Sequence, residues 1–290
     1  MNEPTLKPKS GFFRAKITLA YDGTNFFGWG KQADRRTVQG EIESAMQTLY
    51  RLDLDTVVAG RTDAGVHASG QVIHVDLPIG NSANLGFEFE DLGYRLNRIL
   101  SEEIRIKKVE RAHEDFHARF GALRRHYIYK IQDGQGIIDP VKRLDITPWY
   151  RTLDIEKMNQ AASLLIGEND FFSYAKYREF ATTIRKLERF DFQRNEAGEI
   201  VSHISADAFC YNMVRSLIGT MVYIGEGRFP ITWAKEVLDK RERPSDSVVF
   251  PARGLTFIGV DYPSDSELAA RTFKTMGMRN ATDISDDGEN

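Results

Sequence analysis

Apolar and polar positions alternate in two kinds of run along this chain, and the order of the runs is the first thing to read. "RAKITLAYDG" (Arg14–Gly23) has the two-residue period of a half-buried strand and ends in a turn-forming Asp-Gly pair. "TVQGEIESAMQTLYRL" places Val38, Ile42, Ala45, Met46, Leu49 and Leu52 at helical spacing. Strands are predicted over Val57–Ala59 and Gln71–Val75, a helix over Leu92–Leu100 with Leu92, Leu96, Ile99 and Leu100 on one face, and a strand over Ile104–Ala112. The second half repeats this order. "RRHYIYKIQDG" is again an alternating strand ending in Asp-Gly, and "DIEKMNQAASLLIGE" is an amphipathic helix. Two strands flank an "EAGE" hairpin, "YNMVRSLIGTMVYIGEG" is an apolar helix, and "GLTFIGVDYP" is a closing strand. Both halves thus read strand–helix–strand–strand–helix–strand. The expected fold class is α+β: two ferredoxin-like or RRM-like halves, with a cleft between them where a site is to be sought.

This pattern divides the chain into four parts. Residues 1–11 form a flexible lead, 12–115 and 116–263 the two α+β halves, and 264–290 an acidic, disordered tail. The hydrophobic and charged fractions, 41% and 28%, are ordinary for a soluble globular protein. No apolar stretch approaches the ~20 residues needed to cross a bilayer. The N-terminus lacks the apolar core of a signal peptide. With Cys210 as the single cysteine no internal disulfide can form, which points to a reducing cytoplasm. The net charge of −3 argues weakly against a nucleic-acid partner, but Asp283, Asp286, Asp287 and Glu289 all lie in the tail. Without them the body is slightly positive, and it is local basic patches that bind phosphates.

The candidate chemistry centres on "VVAGRTDAGVHASGQVIH". It places Asp63 in a glycine-framed loop between two strands, with Arg61 two residues before it. An aspartate in such a loop is commonly an Asx-turn residue, and the alternative is a presented carboxylate. Val66 follows Gly65 where a phosphate-binding loop would need Lys, so this is not a nucleotide triphosphate cradle. The histidines and the cysteine lack zinc-ligand spacing; His67 and His74 read as structural and Cys210 as a small core residue. Arg61 is either a surface ion-pair partner or a cation for a nucleic-acid phosphate. Tyr127 lies on a strand among Arg124, Arg125 and Lys130, which suits stacking on an unpaired base, although a strand aromatic is more often core. Arg215 is the anomaly. It sits in a helix apolar on nearly every face, where a buried guanidinium is costly unless paired, or else its head must snorkel to water. The basic sets Arg185, Lys186, Arg189 and Arg119, Arg124, Arg125 are solvated faces or a phosphate-tracking groove.

Taken together, these stretches resemble one family. "VVAGRTDAGVHASGQVIH", "YDGTNFFGWGKQADRRTVQGEIE", "DFHARFGALRRHYIYKI", "FCYNMVRSLIGTMVYIGEGR" and "FPARGLTFIGVDY" resemble, in order, motifs of the tRNA pseudouridine synthase A (TruA) family, from about Ala15 to Tyr262. The resemblance implies a pseudouridine synthase fold with a central cleft. It implies isomerisation of uridine to pseudouridine at positions 38, 39 and 40 of the tRNA anticodon stem-loop, with no cofactor and no metal, by a homodimer. It makes Asp63 the catalytic nucleophile, Arg215 its paired cation, Tyr127 the tyrosine that stacks on the base, and Arg61 a substrate-binding residue that helps turn the nucleotide out. The segment around Tyr174–Thr183 departs most from the family's pattern. Two other readings remain open on the residues alone. One is a non-catalytic RNA-binding protein. The other is a glycoside hydrolase, which would need a second carboxylate near Asp63, with Glu226 and Asp207 as candidates.

Overall fold

The computed structural model describes residues 7–79, 87–134, 136–176, 182–242 and 248–284. The chain forms two compact units, one of residues 1–123 with 259–290 and the other of residues 124–258. The boundary therefore falls at Leu123/Arg124 rather than at 115/116, because residues 112–122 pack onto the first unit.

In the first unit β1 (Phe12–Tyr21) is followed by α1 (Val38–Tyr50), β2 (Val57–Val58), β3 (His67–Pro78), α2 (Leu92–Ile99) and β4 (Ile104–Arg111). The sheet order is β4-β1-β3, with β2 on β3, and all described pairs are antiparallel. The alternation read in the sequence sets the register. Ala15, Ile17 and Leu19 face Val75, Ile73 and Gln71, so one face is apolar with a single glutamine among its positions. α1 starts at Thr37, whose hydroxyl accepts from Gly40 N, and it buries Val38, Ile42, Ala45 and Met46. Ile99, expected on the buried face of α2, is 42% exposed. The helix ends there, and Leu100 takes the buried place in extended conformation.

The opposite face of this sheet is also covered. Val72 packs with Ala59, Phe116, Ala118 and Leu268. Leu268 opens α6 (Leu268–Ile284), so the expectation of a disordered tail from residue 264 is corrected. A Ser264/Glu267 capping box starts the turn, and Arg271 donates to Ala122 O at 3.0 Å. The acids at 286–289 lie outside the described residues. So does the start of the expected flexible lead; its last residues are fixed, with Lys7 paired to Glu114 and Asp115.

In the second unit β5 (Arg124–Gln132) pairs with β9 (Ile200–Ala206), β9 with β8 (Ile184–Arg194), and β8 with β7 (Gly167–Asp170). The two-residue β6 (Thr147–Pro148) runs parallel to β5. Tyr127, Tyr129 and Ile131 share a buried face with Ile204, Ser202 and Ile200. α3 (Ile155–Ser163) lies on β8 and against α4 (Met213–Gly225). α5 (Trp233–Lys240) follows, and β10 (Leu255–Asp261), whose last three residues are counted with the first unit, closes the order. Each unit thus carries the expected strand–helix–strand–strand–helix–strand order, the second with β6, β7 and α5 added. No helix among the described residues is long and apolar enough to cross a membrane.

Candidate active site

Strand pairing ends early where β2 leaves β3, and this creates the loop of interest. β2 pairs only Val57 with His74 and Val58 with Ile73. One further backbone bond, Ala59 N to Val72 O at 2.9 Å, continues the ladder. The chain then departs through Gly60–Val66. Gly60 O is taken not by a strand N–H but by the side chain of Gln71, at 2.9 Å. A carbonyl can only accept, so this contact fixes which end of the amide faces it. The same nitrogen donates to Tyr21 Oη at 3.3 Å, and Tyr21 Oη lies 2.7 Å from Thr62 Oγ1. Burial pushes the Tyr21 phenol up to about 12, so it keeps its proton. Its oxygen accepts from Gln71, and it shares one hydrogen bond with the Thr62 hydroxyl. Gln71 and Thr62 are themselves buried.

The other side of the loop rests on the Gly23–Gly30 segment. Trp29 N donates to Thr62 O at 3.0 Å and Gly65 N to Phe26 O at 3.3 Å. Gly28 has φ +87°, and a Cβ there would stand 2.9 Å from Thr62 O and 3.2 Å from Asp63 C. A Cβ on Gly23 would overlap the Val66 carbonyl. Glycine is needed at both positions because backbone meets backbone. Gly23 N also donates to His67 Nδ1 at 3.1 Å, which gives His67 a structural place. Asp63, half-buried, is therefore held on a turn closed by Val66 N to Asp63 O at 3.2 Å, with both flanks fixed. Arg61 on the same loop is exposed, and its guanidinium passes 4.0 Å from the Cβ position of Gly30.

Tyr127 and Arg215 belong to the second unit. The Tyr127 ring is set edge-on between Phe209 and Phe257, at centroid distances of 5.2 and 5.1 Å. Two perpendicular contacts fix its plane. Arg215 is half-buried on α4. Its Nε donates to Phe250 O at 2.6 Å, and its own carbonyl accepts from Phe250 N at 3.1 Å. One face of the guanidinium, at Nε, is thus held by a backbone carbonyl. Tyr129 pins the next residues: its hydroxyl donates to Pro251 O at 2.7 Å.

The remaining candidates take local roles. Glu226 accepts from Trp149 Nε1 at 3.1 Å and faces Arg151, while Asp207 Oδ1 accepts from Lys186 N and Ala208 N. Arg124 pairs with Glu188 and Arg189 with Asp191. Cys210, expected in the core, is only half-buried, since it precedes the first turn of α4. His74 Nδ1 accepts from Ala118 N at 3.0 Å. Residues 177–181 of the divergent segment lie outside the described residues. No group of three or more His, Cys, Asp or Glu among the described residues is placed to hold a metal. Sequence reading missed Tyr21, Thr62, Gln71 and Phe250. Gln71 could have been found, as a polar residue in an inward slot of an alternating strand.

Comparison with known proteins gives a consistent result. The profile of the family described as tRNA pseudouridine synthase matches residues 17–121 and 161–263. The protein of Frankia casuarinae called tRNA pseudouridine synthase A is 45% identical over 270 residues, covering 93% of this chain and 96% of its own. The protein of that name from Streptomyces griseus is 46% identical over 272 residues, covering 93% and 95%. That from Mycobacterium leprae is 44% identical over 276 residues, covering 92% and 96%.

Proposed function

Because the chain belongs to the tRNA pseudouridine synthase family, and is thereby an isomerase that converts uridine in tRNA to pseudouridine, we propose that it acts at positions 38, 39 and 40 of the anticodon stem-loop with Asp63 as its nucleophile. In the reaction the N1–C1′ bond breaks, the uracil turns while held, and C5 bonds to C1′. N1 gains a proton and C5 loses one, so the composition of the substrate is unchanged and there is no net oxidation or reduction. Asp63 attacks the sugar or the base, or removes the ribose C2′ proton. Each route needs an ionised carboxylate at a fixed point.

The observation that carries this reading is the way the loop is built. A turn residue of purely local role needs only its own hydrogen bonds, whereas the Asp63 loop is fixed from Gln71, Tyr21, Trp29 and Gly28. That is the rigidity a nucleophile requires. Arg215, held through its Nε by Phe250 O, is the cation proposed for the reaction. Tyr127, its ring plane fixed, stacks on the uracil, and the exposed Arg61 holds the nucleotide once it has left its stack. The protein works as a homodimer in the cytoplasm.

The test uses unmodified tRNA transcripts carrying uridine at position 38, 39 or 40. They are incubated with the purified chain, and pseudouridine is mapped by carbodiimide labelling and primer extension. New stops at those positions, absent with Asp63→Ala and Asp63→Asn although both bind tRNA, are the expected result. Substantial turnover by either variant removes Asp63 from its role, and stops elsewhere in the tRNA remove the assignment of position. Sedimentation of the chain at micromolar concentration tests the dimer.

A further inference from the structure

The Gly23–Gly30 segment contains three aromatic residues, and they are used differently. Phe26 is 3% exposed and Trp29 is fully buried, but Phe27 between them is 50% exposed. A single exposed phenylalanine needs no explanation by itself. This one has three further properties. It lies between two of the points where the segment touches the Asp63 loop, Phe26 O accepting from Gly65 N and Gly28 abutting Thr62 O. Its main chain is clamped, with Phe27 N donating to Arg36 O at 2.9 Å and Gln32 Nε2 donating to Phe27 O at 3.1 Å. Its ring carries the guanidinium of Arg35 at 4.8 Å. Arg36, the next residue, is turned instead to Glu41 and Glu103. Arg35 is exposed at the end of a tight hairpin closed by the Gln32–Arg35 bridge.

We propose that Phe27 and Arg35 form a second RNA-binding point, at which an unstacked base adjoining the isomerised uridine stacks on the Phe27 ring and its phosphate meets the Arg35 guanidinium. This rests on the reading of Asp63 as the reacting group. Turning one nucleotide out of a stem leaves its neighbours without a stacking partner. A ring carried on a clamped main chain beside the reacting loop replaces that partner whatever the base, since every base has a π-face. An arginine over the ring adds cation–π attraction and a phosphate donor in one side chain. The charges fit the ligand: the hairpin arginine is the part offered to solvent, and RNA offers a phosphate at every step. Because Gly28 locks Phe27 to the Asp63 backbone, the platform moves with the nucleophile.

The experiment measures, on the full-length chain, the Kd for an unmodified anticodon stem-loop RNA at several salt concentrations and the single-turnover rate at saturating enzyme. Phe27→Leu, which keeps apolar bulk and removes the ring, is expected to weaken binding about tenfold. Its saturating rate should stay within about twofold of wild type, and Phe27→Tyr should restore binding. Arg35→Gln is expected to reduce the slope of log K against log salt by about 0.7–0.9. Melting temperatures should be unchanged, since both side chains are exposed. Equal Kd for wild type and Phe27→Leu, with pseudouridine formed by both, overturns the platform alone. A wild-type chain that forms no pseudouridine overturns the reading of the site and the platform with it. Should Phe27→Leu fold poorly, an unchanged salt slope in Arg35→Gln still overturns the proposal.

Discussion

Gly28→Ala tests whether the fixed loop governs the chemistry. Two effects act at this position. The first is backbone strain, since an L-residue at φ +87° costs roughly 1–2 kcal/mol. The second is overlap: the new Cβ would lie 2.9 Å from Thr62 O, and ordinary contact begins at 3.4 Å. The obstacle is backbone, so relief requires the Thr62–Asp63 peptide to move by about 0.5 Å. A displacement of ~1 Å at a reacting group costs on the order of 100-fold in rate. Gly28→Ala is therefore expected to lose roughly tenfold or more in single-turnover rate while still binding tRNA. Gly11 supplies the control. It has φ +82° in the same unit, and a Cβ there meets nothing within 4 Å. Gly11→Ala carries similar strain without the overlap, so it should lower the melting temperature by a few degrees and leave the rate alone. The assay is pseudouridine formation under enzyme excess, with thermal unfolding of both variants. A wild-type rate in Gly28→Ala, or an equal loss in Gly11→Ala, would refute the reasoning.

Four other outcomes follow from the same structure. Gln71→Leu strands Gly60 O and loosens Tyr21, so it should cost about 1–3 kcal/mol and slow turnover more than it raises KM; unchanged urea unfolding and kcat would contradict this. Arg215→Ala removes the donor to Phe250 O and should lower both rate and melting temperature, and a variant normal in both would sink its assignment. Leu268→Ala should cost about 2–3 kcal/mol in urea unfolding, because Leu268 is 1% exposed within the second core of the first unit; no change would undock α6. Burial, then Arg14 and Arg119, pushes His117 down to about 4, and burial likewise lowers His74. The unfolded chain then binds protons near 6.5 that the folded chain refuses, so the stabilisation is complete above that pH and is lost as pH falls toward 4, by at most about 1.4 kcal/mol per pH unit per histidine. Urea unfolding between pH 7 and 5 should show a smaller loss in His117→Gln than in wild type, and equal losses would contradict it.

What the sequence disclosed and what it hid have physical reasons. α1 was legible because Val38, Ile42, Ala45 and Met46 recur at helical spacing, and those residues are buried. Ile99 was misplaced because periodicity cannot see where a helix stops: the chain becomes extended at Leu100, which is buried in its stead. The tail misled through its composition. Asp283, Asp286, Asp287 and Glu289 lie at the far end, while Ser264 and Glu267 form a capping box and Leu268 enters the core. That box was readable. At the proposed site, Asp63 and Arg61 were singled out from their own motif, but what holds their loop was not legible. Tyr21 lies 41 residues from Thr62, and no local pattern carries such a contact.

The loop's supports explain why so short a β2 is compatible with a firmly held backbone at Asp63. A two-residue strand would ordinarily leave the following chain free to move, since the ladder that orders it has ended. Here the ladder is continued by side chains. Gln71 donates to the carbonyl at Gly60, where the backbone ladder has ended, and Tyr21, at the end of β1, passes the same support to Thr62. Trp29 N and Gly28 close the other side with backbone. The path of the loop is thereby tied to β1, β3 and the Gly23–Gly30 segment together, and the ordering entropy of Asp63 is met when the first unit folds rather than when RNA binds. Binding energy from the RNA can then go to turning the nucleotide out of its stack, a step of a few kcal/mol that the protein side does not duplicate. On this account, changes that loosen the sheet of the first unit lower the chemical rate before they lower RNA affinity, whereas changes at Phe27 and Arg35 do the reverse.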